Sequence, residues 1–248
     1  MERAEYDKLD HAEDRMWWFV ALHANLLMLC AKMMPRQAGA RMLDAGCGTG
    51  GLLTRFGASH PARVVIGLDA NRFACIRAAK KSGRPVCAGS VNTLPFADAA
   101  FAAIVSADVL CHRDVDDRRA LAEFHRCLAS NGILILNLPA YSWLMSRHDV
   151  AVYNARRYTR GGVVALLRAA GFQPLFAGYW NTLLFPLMVA TRKLLPGSGS
   201  DVKQPPRLLD AICRAATAIE RAWLRAGIAL PFGGSILAVA AKNVGVND

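Results

Sequence analysis

Short apolar runs alternate with longer stretches of helical periodicity along most of the chain. The apolar runs show no strict polar alternation, which is typical of strands buried on both faces of a parallel sheet. The strands predicted in this way are 41–44, 64–68, 86–88, 101–106, 133–138, 172–179 and 235–241. The helices predicted between them are 50–56, 72–81, 116–128 and 159–169. Strands and helices that alternate in this manner predict an α/β fold.

Residues near the ends of these elements support their placement. Thr159 is a predicted N-cap, and Gly171 ends the helix that follows it. The first 35 residues predict one helix with an acidic start, the aromatic cluster Trp17-Trp18-Phe19 and an apolar run that Pro35 ends.

The 248 residues predict a single domain with four parts. Residues 1–38 form an N-terminal helical lid, 39–179 the core, 180–234 a helical insertion and 235–248 the last strand and tail. The insertion contains a glycine- and serine-rich linker and a helix, and an insertion at this place lies over the substrate side of such sheets.

The charge of the chain is strongly positive. Lysine and arginine total 30 against 19 acidic residues, for a net charge of +11. The excess is concentrated after residue 150, where twelve basic residues face four acidic ones. Such a balance suits an anionic substrate, an anionic membrane surface or nucleic acid, or else a solvated face in an arginine-rich protein.

Seven cysteines without any C-x-x-C pair predict free thiols in a reducing cytoplasm and no metal site. The charged N-terminus does not resemble a secretory signal. The apolar stretch 179–195 is too short and too interrupted to predict a membrane span.

The run Asp44-Ala45-Gly46-Cys47-Gly48-Thr49-Gly50 follows the first predicted strand. Glycines at such a turn let backbone N–H groups approach a ligand closely. The spacing also satisfies a dinucleotide fingerprint. Asp44 distinguishes a dinucleotide site from a site for a cationic ligand, because a carboxylate repels a pyrophosphate and attracts a cation. Tight packing of strand and helix is the alternative without a ligand.

This run resembles the first motif of the class I S-adenosylmethionine (SAM) dependent methyltransferases. The resemblance implies a seven-stranded, mostly parallel sheet with helices on both faces. It also implies SAM as cofactor, S-adenosylhomocysteine as product, and no metal. Asp69, at the end of the second strand, would bind the ribose hydroxyls, and Trp18 would belong to a lid over the cofactor. Ser90 stands where the family usually has an aspartate for the adenine. The cofactor contacts implied together are Asp44, Ala45, Gly46, Gly48, Gly50, Asp69, Ala70, Asn71, Ser90, Val91, Asn92, Leu94, Ala107, Asp108 and Trp18.

The segment after the fifth strand resembles a bacterial small-molecule or lipid-type subgroup of that family. Asn154 stands where this subgroup tends to have a histidine. The candidates for a general base or other catalytic role are His112, His148, Asp149 and Tyr158. The candidates for acceptor binding are Tyr141, Arg156 and Arg157, although the arginines could instead pair with the N-terminal helix.

The sequence therefore predicts methyl transfer from SAM to a small-molecule or lipid-like, amphipathic and anionic acceptor in a biosynthetic pathway. We expect a cytoplasmic protein in which peripheral membrane contact remains open. A nucleic-acid methyltransferase is disfavoured, because the chain has no Asn-Pro-Pro-Tyr motif for a flipped base. A non-catalytic SAM-binding or membrane-peripheral protein is the other alternative.

Overall fold

A seven-stranded sheet runs through the part of the chain that the computed structural model describes, residues 3–34, 40–194 and 205–242. The strands are β1 (Arg41–Ala45), β2 (Val64–Asp69), β3 (Val86–Ala88), β4 (Phe101–Ala107), β5 (Leu128–Pro139), β6 (Phe172–Trp180) and β7 (Ser235–Lys242). Their order is β3-β2-β1-β4-β5-β7-β6. All neighbouring strands are parallel except β7, which is antiparallel to both β5 and β6. The predicted fold class is confirmed.

The strands lie where they were predicted, with one extension. β5 begins at Leu128, whereas the sequence predicts a turn at Asn131-Gly132 and a strand from residue 133. Asn131 does adopt the left-handed conformation of a turn, at φ +62°. The chain nevertheless continues the same strand, because Leu128 already pairs with Phe101 of β4.

Helices cover both faces of the sheet. They are α1 (Arg3–Ala12), α2 (Trp17–Met33), α3 (Gly51–Ser59), α4 (Arg72–Ser82), α5 (Asp117–Cys127), α6 (Arg147–Ala151), α7 (Arg160–Ala169), α8 (Phe185–Leu194) and α9 (Arg207–Arg225). The Thr159 side chain accepts a hydrogen bond from the Gly162 N–H, as expected of an N-cap, and Gly171 ends the turn after α7 at φ +83°.

The prediction of one N-terminal helix is wrong. A turn at residues 13–16 separates α1 from α2, and the two helices are bent by 75°. The physical reason is that the two segments pack differently. α1 is polar and ion-paired to α4, through Asp7 and Asp10 on Arg77, whereas α2 buries apolar side chains against the sheet.

The sheet separates two apolar clusters. Successive strand residues belong to opposite clusters, as Met42 and Leu43 show, and both are fully buried. One cluster includes α5 and α7, and the other includes α2 and α3. Each large apolar side chain buried in this way contributes about 1.5–3 kcal/mol. The packed sheet therefore gives a firm support for side chains at its carboxyl edge.

The predicted insertion contains α8 and α9. Pro35, the linker at 196–200 and the tail from residue 243 lie outside the described residues, and the predicted domain boundaries stay predictions. Among the described residues, no individual helix combines the length and the hydropathy needed to cross a bilayer, although the bent pair α1–α2 has them jointly.

Gly50 holds α3 close to α4. It has φ +95°, and a Cβ there would lie 2.7 Å from Ala78 Cα. We expect Gly50→Ala to lower the free energy of unfolding by about 1–3 kcal/mol, because it adds both backbone strain and a clash. Urea unfolding at equilibrium measures the change.

Gly161, in α7, is the matched control, because a Cβ there meets no atom within 4 Å. Gly161→Ala should leave stability unchanged or raise it by about 0.5–1 kcal/mol. Equal effects of the two substitutions would contradict this explanation.

Candidate active site

A cleft of about 990 Å³ opens at the carboxyl ends of the central strands. Asp44 of β1, Asp69 of β2, Ala107 of β4 and Pro139 of β5 all line it. Ligands bind at this edge in open α/β sheets, because the strand order reverses there and leaves a crevice. The predicted placement of the motif residues at one edge is thus observed.

The glycines of the loop serve two purposes, because two of them line the cleft and one allows two helices to pack closely. Gly46 and Gly48 line the cleft at φ +92° and +53°, and a Cβ on Gly46 would lie 2.1 Å from Val109 Cγ2. The loop is fixed because the Gly46 N–H donates to the Leu68 carbonyl. Gly50 does not line the cleft and serves helix packing, and Ala45 is buried within β1. Gly50 and the Ala45 side chain therefore do not line the cleft, and their predicted cofactor contacts stay predictions.

Asp69 is held in place by its neighbours. Its carboxylate accepts hydrogen bonds from the Gly48 N–H at 3.0 Å, the Asn71 N–H at 2.9 Å and the Tyr6 hydroxyl at 3.3 Å. Burial raises its pKa, and the hydrogen bonds from Asn71 and Gly48 act against that effect. The carboxylate thus faces the cleft in a fixed orientation at the end of β2.

Asp44 is the most perturbed carboxyl group of the cleft. It is buried, and its Oδ2 has no hydrogen-bond partner. Burial, with the negative charges of Glu13 and Asp69, raises its pKa to about 8. A cationic ligand would satisfy the oxygen and offset the repulsion, so this part of the cleft fits the positively charged methionyl part of SAM. A pyrophosphate would add to the repulsion.

Helix α1 covers this end of the cleft and contributes residues that the sequence analysis missed. Tyr6, Leu9 and Glu13 line the cleft. Glu13 accepts hydrogen bonds from the Thr49 hydroxyl at 2.7 Å and the Lys81 ammonium at 2.6 Å. The sequence signal for this packing was the spacing of acidic residues at positions 7, 10, 13 and 14. Their side chains reach Lys81 and Arg77.

Trp18, Ala70, Ser90 and Val91 also line the cleft, and the Trp18 ring stacks on Trp180 with centroids 5.9 Å apart. Three further residues of the predicted cofactor set do not line the cleft, and their predicted contacts stay predictions. The Asn71 side chain caps α4, the Asn92 amide bridges Asp114 and Asp116, and Leu94 is buried in the core. Local capping and packing account for these residues.

Asp108 lies at the end of β4 in the left-handed region, at φ +54°. It lines the cleft, and its Oδ2 accepts a hydrogen bond from the Asn137 amide at 2.9 Å. Asn137 Oδ1 in turn accepts from Trp180 Nε1 at 2.8 Å. Burial raises the pKa of Asp108 to about 7, although Asn137 and Arg157 oppose this. Ala107 lines the cleft beside it.

His112 and His148 line the cleft, whereas Asp149 does not. Burial lowers the pKa of His112, so this imidazole is largely neutral at pH 7. His148 begins one turn of helix α6 with Arg147, which also lines the cleft. The two predicted histidines therefore both line the cleft, and their catalytic roles stay predictions.

Asp149 and Arg157 form an internal ion pair, although Arg157 also lines the cleft, and their predicted catalytic and acceptor roles stay predictions. Arg157 donates to both Asp149 oxygens through Nη2, at 2.8 and 3.0 Å, and to the Ala140 carbonyl through Nη1. Asp149 also completes the capping box of α6 with Ser146. Burial alone would raise the pKa of Asp149, but Arg157, Asn154 and Arg192 outweigh it and lower the pKa. A carboxylate stabilised in this way is a poor proton acceptor.

Tyr158, Arg156 and Tyr141 are not among the residues that line the cleft. The Tyr158 hydroxyl reaches the Leu110 carbonyl at 2.9 Å, and Arg156 lies 3.6 Å from Asp117. The Tyr141 ring stacks on Tyr179 with centroids 5.2 Å apart. Each of these side chains braces the loops around the cleft, and their predicted roles stay predictions. Neither arginine pairs with the N-terminal helix.

The far end of the cleft combines apolar walls with cations. Leu184, Leu187 and Met188, from α8 and the turn before it, line it together with Arg192 and Asn181. Asn181 is buried and its Oδ1 has no hydrogen-bond partner. The sequence analysis placed the insertion over the substrate side but did not identify these side chains. Within the described residues, no group of His, Cys, Asp or Glu could hold a metal ion.

The raised pKa of Asp44 predicts a pH-dependent stability. A folded-state pKa of about 8, against an ordinary value of 3.8, means that the carboxyl stabilises the fold below about pH 4. That stability is lost as the pH rises towards 8, because the charged form is disfavoured. We expect Asp44→Asn to raise the melting temperature relative to the original protein at pH 8 more than at pH 5, by differential scanning calorimetry without ligand.

Asp98→Asn is the control, because the Asp98 side chain is 78% exposed. It should show no such pH-dependent gain. A melting-temperature difference for Asp44→Asn that is constant between pH 5 and pH 8 would contradict the raised pKa.

Comparison with known proteins agrees with this geometry. Residues 43–136 match a family model described as "Methyltransferase domain". A 24-methylenesterol C-methyltransferase 2 of Oryza sativa subsp. japonica is 30% identical over 125 residues, which are 46% of this chain. The matched stretch spans only 32% of that relative.

Two solved structures share the fold. One belongs to the complex between the Haloferax volcanii Trm112 methyltransferase activator and a methyltransferase, with a TM-score of 0.64, 19% identity, and coverage of 98% of this chain and 99% of that one. The other is geranyl diphosphate C-methyltransferase from Streptomyces coelicolor A3(2), with a TM-score of 0.57, 15% identity, and coverage of 89% and 76%. That structure was solved with S-adenosylhomocysteine, Mg²⁺ and geranyl-S-thiolodiphosphate.

The family match lies on β1 to β5 and includes the loop and carboxylates that form the cofactor end of the cleft. Residues 43–136 of this chain therefore match a methyltransferase domain, on a fold that the chain shares with both compared structures.

Proposed function

We propose that the protein transfers a methyl group from SAM to a small, amphipathic and anionic acceptor of lipid type. The single observation that carries the proposal is the chemical asymmetry of the cleft. One end is lined by the carboxylates Asp44, Asp69 and Glu13, and the other by apolar side chains together with Arg147 and Arg192. One cleft thus offers a cation site next to a site for an anion with an apolar body.

At the acidic end, SAM supplies, when bound, a methyl group on a positively charged sulfur. The Asp69 carboxylate is oriented to accept hydrogen bonds from a pair of hydroxyl groups. An ammonium group beside Asp44 would favour the charged form of its unpartnered carboxyl, and Gly46 and Gly48 line the cleft with backbone alone. These residues bind and orient the cofactor, and such alignment alone can supply several kcal/mol to a displacement reaction.

At the other end, Leu184, Leu187 and Met188 would contact the apolar part of an acceptor. Arg147 and Arg192 would attract its anionic group, with the Arg192 side chain kept near the Leu144 carbonyl at 3.4 Å. Guanidinium groups suit carboxylates and phosphates because their donors match the oxygens of these groups. This part of the cleft thus favours a molecule with a charged head and an apolar body.

His112 and Asp108 would remove a proton from the acceptor where one must leave. The pKa of His112 is lowered by burial, so its ring can accept a proton at neutral pH. Asp108, with a pKa raised to about 7, can do so in part. Both lie beside Ala107 at the end of β4, between the acidic and the basic ends. The acceptor atom, whether O, N, S or C, decides whether this step is needed.

The compared proteins support an apolar or anionic acceptor without fixing it. One is named for a sterol and the other for geranyl diphosphate, which is both apolar and anionic. The domain covers about a third of the sterol enzyme, so its acceptor is not transferred to this chain. We also propose that the protein works in a reducing compartment, because its seven cysteines are free and burial raises the pKa of most.

If Asp69 binds the ribose hydroxyls as proposed, removal of its carboxylate should weaken cofactor binding. We expect Asp69→Ala to weaken SAM binding by at least about 100-fold in isothermal titration calorimetry, because two charge-assisted hydrogen bonds of about 1.5–3 kcal/mol each are lost. Asp69→Asn, which keeps the shape and one acceptor oxygen for either the Gly48 or the Asn71 N–H, should lose less. Asp98→Ala is the exposed carboxylate control. Unchanged binding in Asp69→Ala, with the circular dichroism spectrum retained, would refute the assignment.

The acceptor class is tested with SAM that carries a labelled methyl group. The protein is mixed with host extract separated into lipid, polar and nucleic-acid fractions, and the label is followed after extraction. We expect label in the lipid fraction, reduced at least tenfold by Arg192→Ala at unchanged SAM affinity. Label confined to nucleic acid, or transfer that Arg192→Ala leaves unaltered, would refute a lipid-type anionic acceptor.

A further inference from the structure

Helix α9 packs with a mixed polar and apolar side inward and an apolar side outward. The buried positions are Cys213, Thr217, Glu220 and Leu224, and the helix lies against α2. The outward positions form a row that is entirely apolar, here named the α9 stripe, comprising Leu208, Ala211, Ile212, Ala215, Ala218, Ile219, Ala222 and Trp223. A surface helix normally shows the opposite arrangement, because its apolar side faces the core.

The α9 stripe is exposed over its whole length. The exposed fractions are 75% for Leu208, 53% for Ile212 and 49% for Ile219. Scattered apolar residues on a surface are ordinary, but a continuous apolar stripe of about five helical turns indicates a surface that another apolar phase covers.

Arginines follow one edge of the α9 stripe. Arg207, Arg214, Arg221 and Arg225 are spaced by seven, seven and four residues, so at about 100° per residue they share one side of the helix. The two acidic residues of α9 leave Arg207, Arg221 and Arg225 of the row without an acidic partner on this helix, because Asp210 pairs with Arg214 and Glu220 is buried. Asp210 accepts from Arg214 Nε at 2.5 Å, and Glu220 is buried and accepts from the Leu183 N–H.

The α9 stripe lies beside the basic end of the cleft. Leu209 of α9 and Leu187 of α8 are partly exposed, and both line the cleft. Trp143 and Phe232 are exposed near the same side, each in contact with the Phe185 ring, at centroid distances of 6.1 and 5.6 Å. Aromatic rings of this kind prefer the boundary between water and hydrocarbon.

We propose that the α9 stripe docks onto the surface of an anionic bilayer and presents the mouth of the cleft to it. The apolar side chains enter the outer hydrocarbon, and the arginine row contacts anionic headgroups. A second copy of this chain is a poorer partner, because it would bring two arginine rows and two net charges of +11 together. Docking itself rests on α9, and only the idea that the cleft takes its acceptor from the bilayer rests on the proposed function.

Vesicle sedimentation tests the docking. The full chain is mixed at low salt with vesicles of phosphatidylcholine alone or with phosphatidylglycerol added. We expect binding to the anionic vesicles that is at least tenfold stronger than to the neutral ones and that weakens as salt is added. The double variant Ile212→Asp/Ile219→Asp should lose this binding at least tenfold, because two carboxylates would enter the hydrocarbon. Neither position lines the cleft.

Ile76→Asp is the matched control. Ile76 lies on α4, is 69% exposed and is outside the α9 stripe, so this variant should bind anionic vesicles as the original chain does. SAM affinity by calorimetry should be equal in all three proteins, which shows that each is folded.

Two results would overturn the proposal. One is absence of binding to anionic vesicles, or equal loss in the control and the double variant. The other is a dimer in sedimentation velocity that only the double variant dissociates, which would make a second copy the occupant. Methyl transfer to a detergent-dispersed lipid extract tests the proposed acceptor separately from the docking of the α9 stripe. This transfer should survive in the double variant, because it does not require docking to a bilayer. If that transfer fails in the original chain, the proposed acceptor is wrong while the vesicle result stands.

Discussion

Three carboxyl groups, Asp44, Asp69 and Glu13, lie close enough to repel one another where β1 and β2 end, and all three are buried. Buried charges of one sign are costly unless they are paired or protonated. The three carboxyl groups are compensated to different extents. Lys81 and Thr49 compensate Glu13, backbone N–H groups compensate Asp69, and Asp44 is left with an oxygen that has no partner. The site is therefore arranged to gain from a bound cation.

Lys81 links this constraint to the N-terminal helix. Burial alone would lower its pKa, but hydrogen bonds to Asp10 and Glu13 raise it above its ordinary value. The same ammonium holds α1 over the glycine loop, so the lid and the electrostatics of the site depend on one another. Exposed ion pairs contribute only about 0–1 kcal/mol each, but Glu13 is nearly inaccessible, so its pair with Lys81 is the one that fixes the lid.

A second ion pair organises the other end of the cleft. Asp149 and Arg157 are both buried, and together they join helix α6, Ser146 and the Ala140 carbonyl into one unit. This unit carries Arg147 and His148 on the side of the cleft. Asp149 and Arg157, which the sequence suggests as functional residues, thus hold this part of the cleft together. Their neighbours Arg147 and His148 line the cleft. Breaking a buried pair of this kind by removing one partner is strongly destabilising, at about 3–5 kcal/mol.

The sequence by itself determined the positions of the strands along the chain, the edge of the sheet where ligands bind, and the carboxylates Asp44 and Asp69. These follow from local signals, because apolar runs, glycine turns and an acid at a strand end act over a few residues. It could not determine that Gly50 packs on Ala78 or that Arg157 is used by Asp149, since these contacts join residues distant along the chain or on separate loops.

Tertiary structure also decided where each helix presents its faces. The sequence shows that α9 is amphipathic, but either side of such a helix could face the core. Here Cys213, Thr217 and Glu220 meet the protein and the apolar side faces outward. Likewise, only packing separates α1 from α2, because the acids of α1 find their partners on α4, almost seventy residues away. Periodicity fixes which residues share a face, whereas the neighbour that this face meets depends on the whole fold.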